Sequence, residues 1–122
     1  MENNHNLLNK ENLLNIRYLI LCAIFDPVYC EEIEIATGFS EKDFCMVSSK
    51  LYHIANTFNS KEIYDIFDHI TIHDLIVARS CISRAEGSFG IYSNFFNKKE
   101  FFINIYKIEK NNLNSILSIY GE

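Results

Sequence analysis

Residues 71–86 form the stretch that most restricts how this chain can fold. At about 100° per residue, apolar side chains cover roughly two-thirds of the helical circumference in this stretch, and only His73, Ser80 and Arg84 form a polar strip. A helix that is apolar on so many sides must be covered by neighbouring helices. We therefore predict that residues 71–86 are the central helix of a globule.

Local signals around this stretch predict further helices. Thr71–Asp74 and Ser40–Asp43 resemble capping boxes, in which a hydroxyl and a carboxyl group satisfy the first backbone N–H groups of a helix. Gly38 is predicted to close the preceding helix, because glycine adopts the left-handed conformation at little cost. Apolar residues recur at steps of three and four between these signals. The predicted helices cover residues 7–25, 28–37, 40–57, 59–70, 71–86 and 97–120.

The chain has the size and composition of one all-α domain. Its 122 residues are 48% hydrophobic, which suffices for one core, and one proline with four glycines leaves little material for the many turns of a small β-sheet protein. We predict a single domain over residues 1–122, with about six to seven helices around the central one. Residues 1–6 are polar and are expected to fray.

Charge and hydropathy restrict the partners and the location. The formal net charge of -5, with no cluster of Lys and Arg, argues against nucleic acid as a partner. The longest apolar run, 18–25, is too short for a membrane span, and the polar first residues do not resemble a secretory signal. We expect a cytoplasmic protein whose cysteines, Cys22, Cys30, Cys45 and Cys81, are reduced and buried.

The residues that could carry catalysis are poorly arranged for it. His69 and His73 have the spacing of metal ligands on one helix, but a cap at Thr71 would break their shared face. The segment 87–90 has the small residues of a phosphate loop without its Lys-Ser/Thr ending. We therefore predict no enzymatic activity, no metal and no cofactor, with a small hydrolase or metal enzyme as the disfavoured alternative.

Arg79 falls inside the apolar arc of the central helix, flanked by Ile72, Leu75 and Ile82. Its stem could pack while its head reaches solvent or a nearby carboxylate. Alternatively, Arg79 could stand at the edge of a groove and bind an acidic residue of a partner helix. The sequence leaves both interpretations open.

Two stretches of the chain resemble a known family. The nonapeptide 13–21, Leu-Leu-Asn-Ile-Arg-Tyr-Leu-Ile-Leu, and the ending 116–122, Ile-Leu-Ser-Ile-Tyr-Gly-Glu, are similar to the first helix and the terminus of short poxvirus Bcl-2-like virulence proteins. The spacing between the central and final helices is similar too. The resemblance implies a Bcl-2-like helical bundle.

The resemblance also implies a function. Members of this family are not enzymes and bind host proteins, either holding the BH3 helix of a pro-apoptotic protein in a groove or blocking signalling towards NF-κB, in the host cell cytoplasm. Several form homodimers through their first and last helices. Carried over to this chain, the dimer residues are Ile16, Ile20, Ile116 and Ile119, with ordinary packing in the core of one chain as the alternative for each. If they form a dimer, Ile16→Glu is expected to give a monomer with intact helices. The groove residues are Val47, Leu51, Ile54, Phe67, Ile76 and Arg79.

The start of the central helix departs from the cellular Bcl-2 pattern. Cellular members carry Asn-Trp-Gly-Arg there, whereas residues 71–79 of this chain contain neither Trp nor Gly, and Arg79 comes later. This difference weakens the expectation of BH3 binding more than the expectation of the fold. A helical adaptor or structural protein without an immune role is the alternative function.

Overall fold

The computed structural model describes residues 8–25, 27–57, 69–83 and 99–122. These residues contain five helices and no strand, so the all-α prediction is confirmed. The predicted helix 59–70 lies almost entirely outside the described residues. The helices are α1 (Lys10–Phe25), α2 (Pro27–Thr37), α3 (Glu41–Thr57), α4 (Ile72–Ser83) and α5 (Lys99–Ile119).

Helix α4 is the central helix that the apolar stretch 71–86 predicts. It packs against each of the other four helices in the described part of the chain. Only His73 and Ser83 among its residues are exposed. Its fully buried apolar side chains are Leu75, Val77, Ala78, Cys81 and Ile82. The broad apolar surface therefore has the covering that its sequence requires.

Helix α1 is as central as α4, which the sequence did not predict. It also packs against all four other described helices, most extensively against α3. Buried residues at Leu13, Ile16, Leu19, Ile20 and Ala23 span more than one narrow stripe of its surface. The core is thus built around two helices, because α1 has an apolar arc wide enough to meet partners on several sides.

The predicted capping boxes are confirmed. The Ser40 N–H donates to Asp43 Oδ2 at 2.8 Å, and the Asp43 N–H donates to Ser40 Oγ at 3.2 Å. In the same way Thr71 N–H donates to Asp74 Oδ2 at 3.0 Å, and Asp74 N–H donates to Thr71 Oγ1 at 3.1 Å. Gly38 has a φ of 80°, as predicted for a left-handed helix end.

The start of α1 uses a cap made of two asparagines. The Asn12 N–H donates to Asn9 Oδ1 at 2.9 Å, and the Asn9 N–H donates to Asn12 Oδ1 at 3.1 Å. This reciprocal pair starts the helix at Lys10, later than the predicted residue 7. Asparagine serves at this position because its side-chain oxygen accepts an otherwise unpaired N–H group.

The cap of α4 is also tied to α3. The Lys50 Nζ atom lies 2.7 Å from Asp74 Oδ2, and the Asp74 side chain is 13% exposed. Burial acts to raise the pKa of Asp74, but the hydrogen bonds from Lys50 and Thr71 outweigh it and lower that pKa overall. The charged carboxylate therefore stabilises the fold above the ordinary pKa of Asp, and this stabilisation is lost as the pH falls through the lowered pKa.

We expect Asp74→Ala to destabilise the protein by about 2 kcal/mol, through loss of the cap and of the bonds from Lys50 and Thr71. Asp43→Ala is the matched control, because Asp43 has the same position in an exposed capping box without a lysine partner in the described structure. Urea denaturation at pH 7 measures both. Equal losses from the two substitutions would contradict a contribution from Lys50.

Candidate functional site

The predicted groove residues of α3 are inside the core. Val47, Leu51 and Ile54 are all buried in the main apolar cluster. Ile76 on α4 is half-buried and packs against the same cluster. Phe67 lies outside the described residues. The α3 side chains that were predicted to contact a partner helix therefore pack within this chain, so they do not line an open groove in this structure.

Arg79 connects α4 to the end of α5. Its Nη1 atom donates a hydrogen bond to the backbone carbonyl oxygen of Glu122 at 2.8 Å. The Glu122 N–H in turn donates to the Leu117 carbonyl at 3.0 Å, and Gly121 adopts a φ of 78° to allow this turn. The guanidinium group thus reaches the surface and binds a backbone oxygen, which accords with the first of its two interpretations.

The four predicted dimer residues do not share one environment. Ile16 and Ile20 on α1 and Ile116 on α5 are buried within the single chain. Ile119 is 54% exposed at the end of α5. A homodimer stays a prediction, and in this structure its contacts could include Ile119 but not the three buried side chains. Ile108 is also exposed and lies on the same side of α5, eleven residues before Ile119.

A buried carboxylate joins α1 to α5. Glu109 is fully buried, and its two carboxylate oxygens accept hydrogen bonds from three half-buried amide groups. Asn12 Nδ2 donates to both oxygens at 2.9 and 3.2 Å, Asn15 Nδ2 donates to one at 3.2 Å, and Asn112 Nδ2 donates to the other at 3.0 Å. Burial raises the pKa of Glu109 above its ordinary value, although these hydrogen bonds lower it in part.

The thiols are poor nucleophiles at neutral pH. Burial raises the pKa of Cys22 and Cys30 to about 11, and it also raises the pKa of Cys81. All four cysteines are free, and three are buried as expected. The expectation is wrong for Cys45, which is exposed, because it falls on the outward side of α3.

The two histidines with ligand spacing do not share a helical face. His69 precedes the cap at Thr71, whereas His73 is in the first turn of α4. The ring of His73 instead meets the Phe39 ring edge-on, with 5.6 Å between centroids. In the part of the chain that the structure describes, no three His, Cys, Asp or Glu residues are grouped as metal ligands.

The outward side of α3 carries a feature that the sequence analysis missed. The Arg17 guanidinium of α1 lies over the Tyr52 ring, with 4.4 Å from Cζ to the ring centroid. Tyr52 is 49% exposed and Met46 is 61% exposed. We call this surface the α3 outer face; it comprises Arg17 and the exposed α3 residues Glu41, Lys42, Cys45, Met46, Ser49, Lys50, Tyr52, His53, Asn56 and Thr57. The sequence signal that could have identified this surface is the presence of a tyrosine and a methionine on the otherwise polar side of the helical wheel.

The chain was also compared with known proteins. No protein-family model, curated protein or solved structure matches it.

No described helix has, by itself, the length and hydropathy to cross a membrane. Lys10–Phe25 and Cys30–Thr37 reach that threshold only as a pair, across a bend of 106°.

Proposed function

We propose that the protein is a non-enzymatic immune modulator of the poxvirus Bcl-2-like kind, which binds host proteins in the cytoplasm and inhibits signalling towards NF-κB. The observation that supports this most is α4, an apolar helix enclosed by four others, as a Bcl-2-like bundle requires. The similarity of residues 13–21 and 116–122 to that family supplies the immune role.

The packing of α3 favours inhibition of signalling towards NF-κB over binding of a BH3 helix. A BH3 helix binds by placing its apolar residues on exposed apolar side chains of a groove. Here Val47, Leu51 and Ile54 already pack in the core. Uncovering them costs roughly 1.5–3 kcal/mol for each side chain, before any contact with a partner is gained. A surface that is already exposed is the less costly place for a host protein to bind.

A stimulated NF-κB reporter assay in cells that express the protein tests the proposal. We expect reporter activity to fall as expression of the protein rises. Asp43→Ala, an exposed cap substitution, is expected to inhibit as well as the wild type and serves as the folded control. Unchanged reporter activity at confirmed expression would overturn the proposal.

Titration of the purified protein with labelled BH3 peptides distinguishes inhibition of NF-κB signalling from an anti-apoptotic function that depends on BH3 binding. We expect no saturable binding at tens of micromolar peptide, because the α3 residues in question are not accessible. Tight BH3 binding would replace the signalling proposal by an anti-apoptotic one. No BH3 binding together with an unchanged reporter would favour the helical adaptor.

A further inference from the structure

We draw no further inference here: the strongest candidate, the α3 outer face around Arg17, Met46 and Tyr52, carries none because Glu41 lies on the same face, Lys50 is already paired with Asp74 at 2.7 Å, and nothing in the structure shows what covers this side of α3.

Discussion

Ile16→Glu is expected to abolish cooperative folding of the chain. Ile16 has no exposed surface and lies in α1, which packs against every other described helix. The substitution removes a buried aliphatic side chain and places a carboxylate among apolar groups, a loss of about 5 kcal/mol or more. Whole domains are stabilised by only about 5–15 kcal/mol. Circular dichroism should therefore show reduced helical content and no sharp thermal transition.

The burial of Ile16 changes what this substitution can report. The sequence analysis expected Ile16→Glu to separate a homodimer while the helices stayed intact, but a side chain that is enclosed by its own chain cannot be tested in that way. Ile119→Glu is the suitable variant for the dimer, because Ile119 is 54% exposed on α5. It should leave the helical content and melting temperature unchanged. Native-like helicity and melting of Ile16→Glu would contradict the packing of α1.

Helix positions were predictable because their signals are local. The boxes at Ser40–Asp43 and Thr71–Asp74 are complete within four residues, and the structure forms both sets of hydrogen bonds. Gly38 needed only its own backbone freedom. The apolar circumference of α4 likewise predicts its own burial, because no exposed helix could carry it.

The predicted binding surfaces depended on tertiary contacts that sequence does not specify. The spacing of Val47, Leu51 and Ile54 defines one apolar side of α3, and that side meets the core rather than a partner. A helical wheel shows the same apolar side whether that side packs in the core or binds a partner. The Arg17–Tyr52 contact joins two helices that are separate in sequence, so the spacing of apolar residues within either helix alone could not predict it.

The asparagines show the same limit for polar residues. The sequence analysis assigned no role to any asparagine of this chain, yet Asn12, Asn15 and Asn112 all donate to one buried carboxylate. Asn12 and Glu109 are 97 positions apart in the chain. A glutamate on the last helix reads as a surface residue until the helix packed against it is known.

Glu109→Ala is expected to destabilise the protein by about 3 kcal/mol. The substitution leaves a cavity between α1 and α5 and removes the acceptor of three amide groups, which then lack their partner. Glu109→Gln is the matched variant, since it keeps the shape and one carbonyl oxygen, and it should cost less. Urea denaturation compares the two. A loss below about 1 kcal/mol for Glu109→Ala would show that the cluster is not important for stability.

The pH dependence of stability should also depend on Glu109. Because burial raises its folded-state pKa above 4.5, the folded chain binds this proton more tightly than the unfolded chain. The resulting stabilisation is complete below the ordinary pKa and is lost as the pH rises through the raised value. We therefore expect the free energy of unfolding to increase as the pH is lowered from neutral towards the ordinary pKa of Glu, and this increase to be smaller in Glu109→Gln.

Two aspartates affect stability in the opposite direction to Glu109, and they do so at lower pH. Asp74 and Asp43 have pKa values lowered below 3.8, so their contributions to stability are lost only in stronger acid.

Glu11, on the neighbouring helix, raises the pKa of Glu109 further through its negative charge. Glu11→Gln should therefore reduce the pH dependence of stability in the same direction as Glu109→Gln. The measured quantity is the difference in unfolding free energy between the wild type and Glu109→Gln, followed from neutral pH down to the ordinary pKa of Glu. A difference that does not vary with pH would mean that Glu109 has the same pKa in the folded and unfolded chains, and it would contradict a pKa raised by burial.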